Sequence, residues 1–501
     1  MKRKLLYNTG FSILQQVVSI VCGFILPRFI LLHFGSGVNG AVNSITQFFA
    51  FITFLDMGVG AVVQSSLYKP IADGNMVEIS RIVTSAKRYF QKIAIIIIAY
   101  TALLVVIFPK IIEGNYSWLF LCVLILAIGA NHFTQFYIGI TDRLLLVASQ
   151  NGYVYYISQI AVSIVTTVFG MILILNGHSI QAVKIVTAVI FLSRALIVRK
   201  YVDLHFDIDR NINYDTEPIK QKWYGVAQHV AAIILDGTDN IVLTLFSTLN
   251  NVSIYAVHYL VVSAIKNAIL NACGGVQAAV GEIYARSNKD SITDAFSVLE
   301  WGIHTIVIII FCSTALLLSP FIMLYTRGVT DAVYYQPAFA LLLTLANALH
   351  CLRLPYNMMI LVAGHYKQTQ RCYITAALLN IIISVAVVLY MGLIGVAIGT
   401  VIALSYQIIW MIVYNNKHLV EWSISKTVKQ CIVDILEVAI CMLLVSNLVI
   451  MVDSYFEWTI MAFKVLGYVL SIVFLLNFAI YFKNISRLRM YISQRRNRTI
   501  R

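Results

Sequence analysis

About fourteen apolar stretches, each long enough to cross a bilayer, run through almost the whole chain. Helices are the default for such stretches, because every backbone polar group inside a bilayer must find its partner within its own segment. A membrane β-barrel would instead show alternating segments of about ten residues, and this sequence has none. The chain is therefore expected to be an all-α polytopic membrane protein. The predicted spans are roughly 8–32, 40–66, 91–109, 117–140, 153–176, 180–198, 224–246, 252–276, 301–319, 337–362, 372–391, 395–413, 431–451 and 461–481.

Lysine and arginine fall almost entirely on alternate links between these stretches. With the N-terminus placed inside, about 28 of the 36 lie on one set of links and on the two ends, and only Lys110 and Arg327 lie on the other set. This asymmetry follows the positive-inside rule and puts both termini in the cytoplasm. Topology and anionic lipid headgroups therefore explain the net charge of +14, and no nucleic-acid partner is expected.

Composition and link lengths argue against a soluble domain and against an enzyme. Charged residues make up 12% of the chain, against roughly 25% in a soluble domain. The eight cysteines are scattered, with no CxxC pair and no histidine cluster, so neither a disulfide framework nor a zinc site is indicated. Asp207-Ile208-Asp209 resembles the metal-binding sequence of glycosyltransferases, but no nucleotide-binding domain surrounds it. No catalytic site, metal or cofactor is expected, and a membrane polymerase is disfavoured because the outer links are short.

An internal repeat appears at a spacing of about 215 residues. Leu146-Val147-Ala148 matches Leu361-Val362-Ala363, and Asp73-Gly74-Asn75 falls opposite Asn288-Lys289-Asp290. Because each repeat holds an even number of spans, both have the same orientation and are related by an axis along the membrane normal, with a cavity between them. The inner links 67–90 and 281–300 are interpreted as short amphipathic helices on the inner surface. The predicted organisation is a six-helix lobe at 1–198, a cytoplasmic linker at 199–223, a second six-helix lobe at 224–416, and two extra helices with a basic tail at 417–501.

Three cations lie deep within predicted spans, namely Arg28, Lys266 and Arg353. A charge at a helix centre costs about 2.5–3.5 kcal/mol on insertion scales, so each should face a partner or water. They come from the first, eighth and tenth spans and would present cations to an anionic headgroup in the cavity, with arginine holding phosphate by two bonds. Interhelical ion pairs that only fix the packing are the competing explanation for any one of them.

Three aspartates also lie within spans, and they are candidates for an ion-coupling site: Asp56, Asp236 and Asp239. Asp236 and Asp239 are three residues apart and so share one helix face, and Gly237 between them would allow local unwinding. Two carboxylates near the middle of the membrane suit a proton or a sodium ion, although neutralising Lys266 or Arg353 is an equal alternative. Arg194 and Asp434 lie nearer to span ends, where a charged head can reach the interface.

Several local motifs carry a resemblance to a known family. They are Phe54-Leu-Asp-Met-Gly-Val-Gly60 running on to Lys69-Pro70, Arg327-Gly-Val-Thr-Asp-Ala332, Tyr335-Gln-Pro337, Arg353-Leu-Pro-Tyr356 and Leu361-Val-Ala-Gly-His-Tyr-Lys-Gln-Thr-Gln370. The whole chain resembles the polysaccharide transporter branch of the multidrug/oligosaccharidyl-lipid/polysaccharide exporter superfamily, including its duplicated six-helix lobes and two extra helices.

That resemblance implies a flippase for surface polysaccharide biosynthesis in the bacterial plasma membrane. Its substrate would be an undecaprenyl-diphosphate-linked oligosaccharide repeat unit, moved from the inner to the outer leaflet by alternating access of the two lobes. A proton or sodium gradient is a plausible driving force, and membrane lipids and a polysaccharide polymerase are the other candidate partners. The competing hypothesis is a cation-coupled multidrug or small-molecule antiporter, which Asp236 and Asp239 would also suit.

Overall fold

The computed structural model describes residues 2–52, 54–112, 116–213, 226–286 and 288–499. Every regular element in these ranges is helical, and twelve of the described helices are long and apolar enough to cross a membrane. The predicted all-α polytopic membrane protein is confirmed. Part of the predicted cytoplasmic linker, residues 214–223, lies outside the described residues.

The chain divides into two compact units, residues 1–253 and 254–501. The first unit contains α1 Lys2–Ile52, α2 Phe54–Ala72, α3 Met76–Ile111, α4 Trp118–Thr134, α5 Ile140–Ala148, α6 Gly152–Leu175, α7 Ile180–His205, α8 Val226–Phe246 and the start of α9 Leu249–Arg286. The second unit contains the rest of α9, α10 Lys289–Tyr325, α11 Pro337–Leu352, α12 Leu354–Val362, α13 Tyr366–Met391, α14 Leu393–His418, α15 Ile424–Val445 and α16 Tyr455–Thr499.

Each of the fourteen predicted spans overlaps a described helix, and α1 carries parts of two of them. Gly35 interrupts α1 with a φ of 81°, a backbone conformation that glycine adopts without the steric cost of a Cβ. The part of α1 after Gly35 begins the second span, which continues as α2.

The helix α8 packs within the first unit, although the sequence repeat assigns it to the second lobe. Thr244 of α8 lies 2.8 Å from the hydroxyl of Ser44, and Asn39 donates a hydrogen bond of 2.7 Å to Ser253. Gly40 of α1 faces the carbonyl of Leu249, and a Cβ there would clash with that backbone. The lobe boundaries drawn from the repeat stay a prediction.

The two inner links that were predicted to form separate surface helices are instead the ends of long helices. Only a turn at Asp73-Gly74-Asn75 separates α2 from α3. With 36 residues, α3 spans roughly 54 Å at 1.5 Å per residue, well beyond a hydrocarbon core of about 30 Å. That prediction is therefore wrong.

An asparagine has the same structural role at each of these turns, although Asn75 and Asn288 are not equivalent positions of the repeat. Asn75 accepts a hydrogen bond from the backbone N–H of Glu78 at 3.0 Å, and Asn288 accepts one from Ser291 at 3.1 Å. Each side chain caps the N-terminus of a long helix, which leaves one fewer backbone N–H without a partner.

The two halves also match in having an interrupted helix at the same place. In the first half α4 is interrupted before α5, and in the second half α11 is interrupted before α12. Residues Gln135–Gly139 form a π-helix between α4 and α5, and Arg353 separates α11 from α12. Adding the repeat spacing of about 215 residues to Ile138 gives Arg353. Interrupted helices at corresponding positions of two transporter halves are a pointer to a binding site, and π-helical turns are frequent at functional sites.

Candidate functional site

Arg353 is the best-defined of the predicted cations. Its residue is 6% exposed, and Pro355 in the first turn of α12 prevents a continuous helix, because proline has no N–H to donate. Nη1 of Arg353 donates to Oε1 of Gln407 on α14 at 2.6 Å, and Nη2 lies 3.1 Å from Nε2 of His350. Its Nε has no hydrogen-bond partner.

The electrostatic balance around Arg353 is incomplete. Among the described side chains, no carboxylate forms an ion pair with it. Gln407 and His350 offer lone pairs but no fixed negative charge. A buried charge without an opposite charge is costly, and a guanidinium fork matches the geometry of phosphate. The site is therefore suited to an anionic group.

Polar side chains hold the short helix α12 in place beside Arg353. Asn415 of α14 donates to the carbonyl of Tyr356 at 3.1 Å, and the hydroxyl of Tyr373 on α13 donates to Asn357. These bonds fix the interrupted segment against two neighbouring helices, so the guanidinium has a defined position before any ligand binds.

Lys266 of α9 is also buried, at 3% exposure. Its Nζ donates to the hydroxyl of Tyr259 at 3.2 Å and lies 5.5 Å from the centre of the same ring, within the range of a cation–π interaction. Tyr259 in turn stacks on Tyr255 at 5.5 Å. In the described contacts, Lys266 and Arg353 bind different side chains.

An apolar groove lies between α9 and α10. It has a volume of about 400 Å³. Its nine lining residues are all apolar, and they run along α9 from Ile265 to Val276 and along α10 at Ile303, Ile306 and Ile310. Lys266 follows Ile265 on the same helix but does not itself line the groove. Such a groove fits an alkyl or isoprenoid chain better than a polar molecule.

The other predicted site residues lie in the first unit. Arg28 is partly buried in α1, one residue after Pro27. Asp239 of α8 is 3% exposed, whereas Asp236 is exposed, and both aspartates and Arg28 make further contacts with neighbouring groups. The predicted local unwinding is absent, because α8 is continuous through these residues. Asp56 lies in α2, but its side chain is outside the described part of the structure.

The structure also contains a buried acidic network in the second unit that the sequence did not reveal. Glu300 of α10 is 2% exposed and accepts hydrogen bonds from the hydroxyls of Tyr356 at 2.6 Å and Thr427 at 2.7 Å. Asp434 of α15 is 2.6 Å from Nδ1 of His304 and accepts a bond of 2.8 Å from Gln430.

Glu437 completes this network one helical turn beyond Asp434. It is 1% exposed and accepts a hydrogen bond of 2.6 Å from Asn477 of α16. Its Oε2 and the Nε2 of His304 have no hydrogen-bond partner. No described lysine or arginine forms an ion pair with these carboxylates. The expectation that Asp434 reaches the interface is wrong, because it is buried against α10.

A sequence signal for the network existed but was incomplete. Glu300 and His304 are four residues apart, and Asp434 and Glu437 are three apart, so each pair shares a helix face. The assignment of 281–300 to a surface link hid Glu300, and the pairing across about 130 residues needs the tertiary structure. Among the described residues, no group of three or more histidine, cysteine or acidic side chains is placed to hold a metal ion.

Solved structures identify the fold. A structure described as lipid II flippase MurJ in its inward closed conformation matches with a TM-score of 0.69 and 15% identity, over 95% of this chain and 99% of that chain. An inward-facing multidrug resistance MATE family transporter of the MOP superfamily matches with a TM-score of 0.65 and 14% identity, over 80% of this chain and 98% of that one. No protein-family model and no curated protein matches the sequence.

The fold and the buried polar sites define a multi-pass α-helical membrane protein. Its fold is similar to that of the lipid II flippase and to that of the MATE family transporter of the MOP superfamily. At identities of 14% and 15%, this likeness establishes the fold alone.

Proposed function

We propose that the chain is a flippase that moves undecaprenyl-diphosphate-linked oligosaccharide repeat units from the inner to the outer leaflet of the bacterial plasma membrane, for surface polysaccharide biosynthesis. The observation that carries this proposal is the buried guanidinium of Arg353, which has no carboxylate partner among the described residues. A diphosphate would supply the missing negative charge and accept paired N–H bonds from the guanidinium fork.

The apolar groove between α9 and α10 supports a lipid-linked substrate rather than a free anion. A lipid-linked glycan has a charged linkage and a long hydrocarbon chain, and the two need adjacent surfaces of opposite character. The groove would hold the hydrocarbon chain, and the buried Lys266 is a candidate cation on the same helix, α9. Arg28 joins Lys266 and Arg353 in the proposal as a third cation from the opposite half of the sequence.

The fold supports the same class of substrate. The lipid II flippase aligns with 95% of this chain, whereas the MATE transporter aligns with 80%. Alternating access of two six-helix lobes is the motion that such a duplicated architecture supports.

Coupling to a proton gradient is part of the proposal. Ionisable residues within spans commonly form proton relays in transporters, and Glu300, Asp434 and Glu437 are buried carboxylates without a described lysine or arginine partner. Asp56, Asp236 and Asp239 are the alternative coupling residues in the first unit. A surface polysaccharide polymerase would be the next consumer of the flipped substrate.

A cation-coupled multidrug antiporter is the second candidate function, favoured by the MATE likeness and by the buried carboxylate of Asp239. Deletion of the gene in its native host separates the two. A flippase predicts lipid-linked repeat units accumulating on the inner leaflet, loss of surface glycan and unchanged drug sensitivity. Normal surface glycan together with drug hypersensitivity would replace the flippase by the antiporter.

A further inference from the structure

A small pocket in the first unit brings two arginines to one aromatic ring. It is lined by Gln135 and Gly139 of the π-helical turn, by Arg143 of α5, by Tyr155 of α6 and by Arg194 of α7, among others. The Cζ atoms of Arg143 and Arg194 lie 5.4 Å and 5.7 Å from the centre of the Tyr155 ring. The pocket has a volume of about 20 Å³.

Arg194 lacks the partners that a buried guanidinium normally has. It is only 8% exposed. Its described contacts are the faces of two rings, Tyr155 and, at 4.7 Å, Phe191. Neither Arg194 nor Arg143 makes a hydrogen bond or ion pair with a described side chain. A guanidinium has five N–H donors. The described side chains of the pocket therefore offer hydrogen-bond donors but no negatively charged acceptor.

The nearby carboxylates do not serve this pocket. Asp142, next to Arg143 in the sequence, is bonded to Arg210 at 2.9 Å, and Asp203 is bonded to the same guanidinium at 2.6 Å. Burial alone lowers the pKa of Arg210, but these two carboxylates outweigh burial and raise it. Two carboxylates therefore neutralise Arg210. Arg143 and Arg194 have no such carboxylate partner among the described side chains.

The pocket lies near the predicted inner surface and is surrounded by lipid-facing residues. Arg143 lies six residues before the turn at Ser149, which belongs to an inner link in the predicted topology. Around Arg194, the apolar side chains of Leu192 and Leu196 are 38% and 49% exposed. In a membrane, exposed leucines on a spanning helix face acyl chains, so a ligand at the mouth of this pocket has hydrocarbon beside it.

We propose that this pocket binds the phosphate group of a membrane lipid. One phosphate oxygen fits a pocket of about 20 Å³, since a single water-sized group needs about 10–15 Å³, and the guanidinium groups of Arg143 and Arg194 donate to the phosphate oxygens. Phosphate also removes the repulsion between the two like charges. The phosphate comes either from a bilayer headgroup or from the diphosphate of a lipid carrier, and the second source rests on the proposed function.

The test measures binding without transport. The full-length protein in detergent is titrated with phosphatidylglycerol, with farnesyl diphosphate, with inorganic diphosphate and with diacylglycerol as a phosphate-free lipid, and bound adducts are counted by native mass spectrometry. Arg143→Gln and Arg194→Gln are each expected to weaken binding of the lipid phosphates roughly tenfold or more, because each removes charge-assisted hydrogen bonds. Diacylglycerol should not bind specifically to any of the proteins.

Two further variants separate the site from general effects of charge and folding. Arg81→Gln removes an exposed arginine of α3 that pairs with Glu78, and it should bind the lipid phosphates as the unsubstituted protein does. Arg194→Lys keeps the charge but loses the planar fork, so it should bind with intermediate affinity and a normal melting temperature.

The outcomes also distinguish the source of the phosphate. Equal affinity for phosphatidylglycerol and farnesyl diphosphate supports a headgroup site, and at least tenfold preference for farnesyl diphosphate supports the carrier. Inorganic diphosphate binding as tightly as both lipids would overturn a lipid site, and so would unchanged affinity in folded Arg143→Gln and Arg194→Gln proteins. Failure of the flippase proposal leaves this binding result standing, because the assay needs no transport.

Discussion

Nη1 of Arg353 donates to Oε1 of Gln407 across 2.6 Å, and this bond ties the interruption between α11 and α12 to α14. Gln407 is fully buried, and its Nε2 has no hydrogen-bond partner. A neutral amide therefore stands where a carboxylate would neutralise the arginine. With the amide of Gln407 as its partner, the guanidinium is fixed in position and still available to an anion.

Arg353→Gln should reduce flipping of the lipid-linked substrate roughly tenfold or more, because charge-assisted hydrogen bonds contribute about 1.5–3 kcal/mol. Transport rates in proteoliposomes, normalised to folded protein, provide the measurement. Arg371→Gln is the matched control, since it removes an exposed cation of α13, and it should transport normally. A loss of folded Arg353→Gln protein with a normal rate per folded molecule would assign the arginine to packing alone.

Gln407→Glu tests the same site in the opposite direction. The new carboxylate would pair with Arg353 inside the protein and compete with the substrate diphosphate, so the protein should stay folded while transport falls. Melting temperature and flipping rate are measured together on the same preparation. Retention of the full rate in a stable Gln407→Glu protein would show that Arg353 does not contact the substrate.

Glu437→Gln should make transport less dependent on a proton gradient while preserving the bond from Asn477, since a glutamine oxygen can still accept it. The rate is compared with and without an imposed pH gradient. Glu421→Gln is the control, because Glu421 is 66% exposed and pairs with Lys289 at the surface. An unchanged gradient response in Glu437→Gln would reduce the acidic network to a structural anchor for α15 and α16.

Asp236→Asn and Asp239→Asn test the first-unit alternative for coupling. If these aspartates carry the ion, each substitution should weaken the response of transport to a proton or sodium gradient. Asp239 is buried and Asp236 exposed, so Asp239→Asn should have the larger effect. A gradient response that survives both substitutions would remove the pair from the coupling role.

Gly399→Ala should destabilise the second unit by about 1–3 kcal/mol, the usual cost of overpacking. A Cβ at Gly399 would meet the backbone of Ser384 on α13 at 2.9 Å, and close helix packing in membranes depends on such small residues. Gly467→Ala on α16 is the control, because nothing lies within 4 Å of a Cβ there. Thermal unfolding in detergent measures both, and equal melting temperatures would contradict the tight α13–α14 contact.

The features that sequence predicted are those set by local physics. Span positions follow from the need to satisfy every backbone group in a bilayer. The surface helices at the inner links were predicted wrongly, because amphipathic patterning does not distinguish a surface helix from the projecting end of a long spanning helix. Asp434 was also misjudged, because nearness to a span end says nothing about burial by neighbouring helices.

The remaining features depend on tertiary contacts between distant residues. The bond between His304 and Asp434 joins positions 130 residues apart, and the ring that Arg143 and Arg194 share comes from a third helix. The deep cations were found from sequence because charge in an apolar span is rare. Their partners, such as Gln407, are ordinary polar residues that carry no such signal.

The leaflet distribution of labelled undecaprenyl-diphosphate-linked oligosaccharide, in proteoliposomes with and without the protein, tests the central claim most directly. The account predicts movement of the label to the opposite leaflet only in vesicles that contain the protein, and a slower rate with Arg353→Gln. Vesicles that contain folded protein and the native glycan but show no movement would contradict the flippase and favour the antiporter.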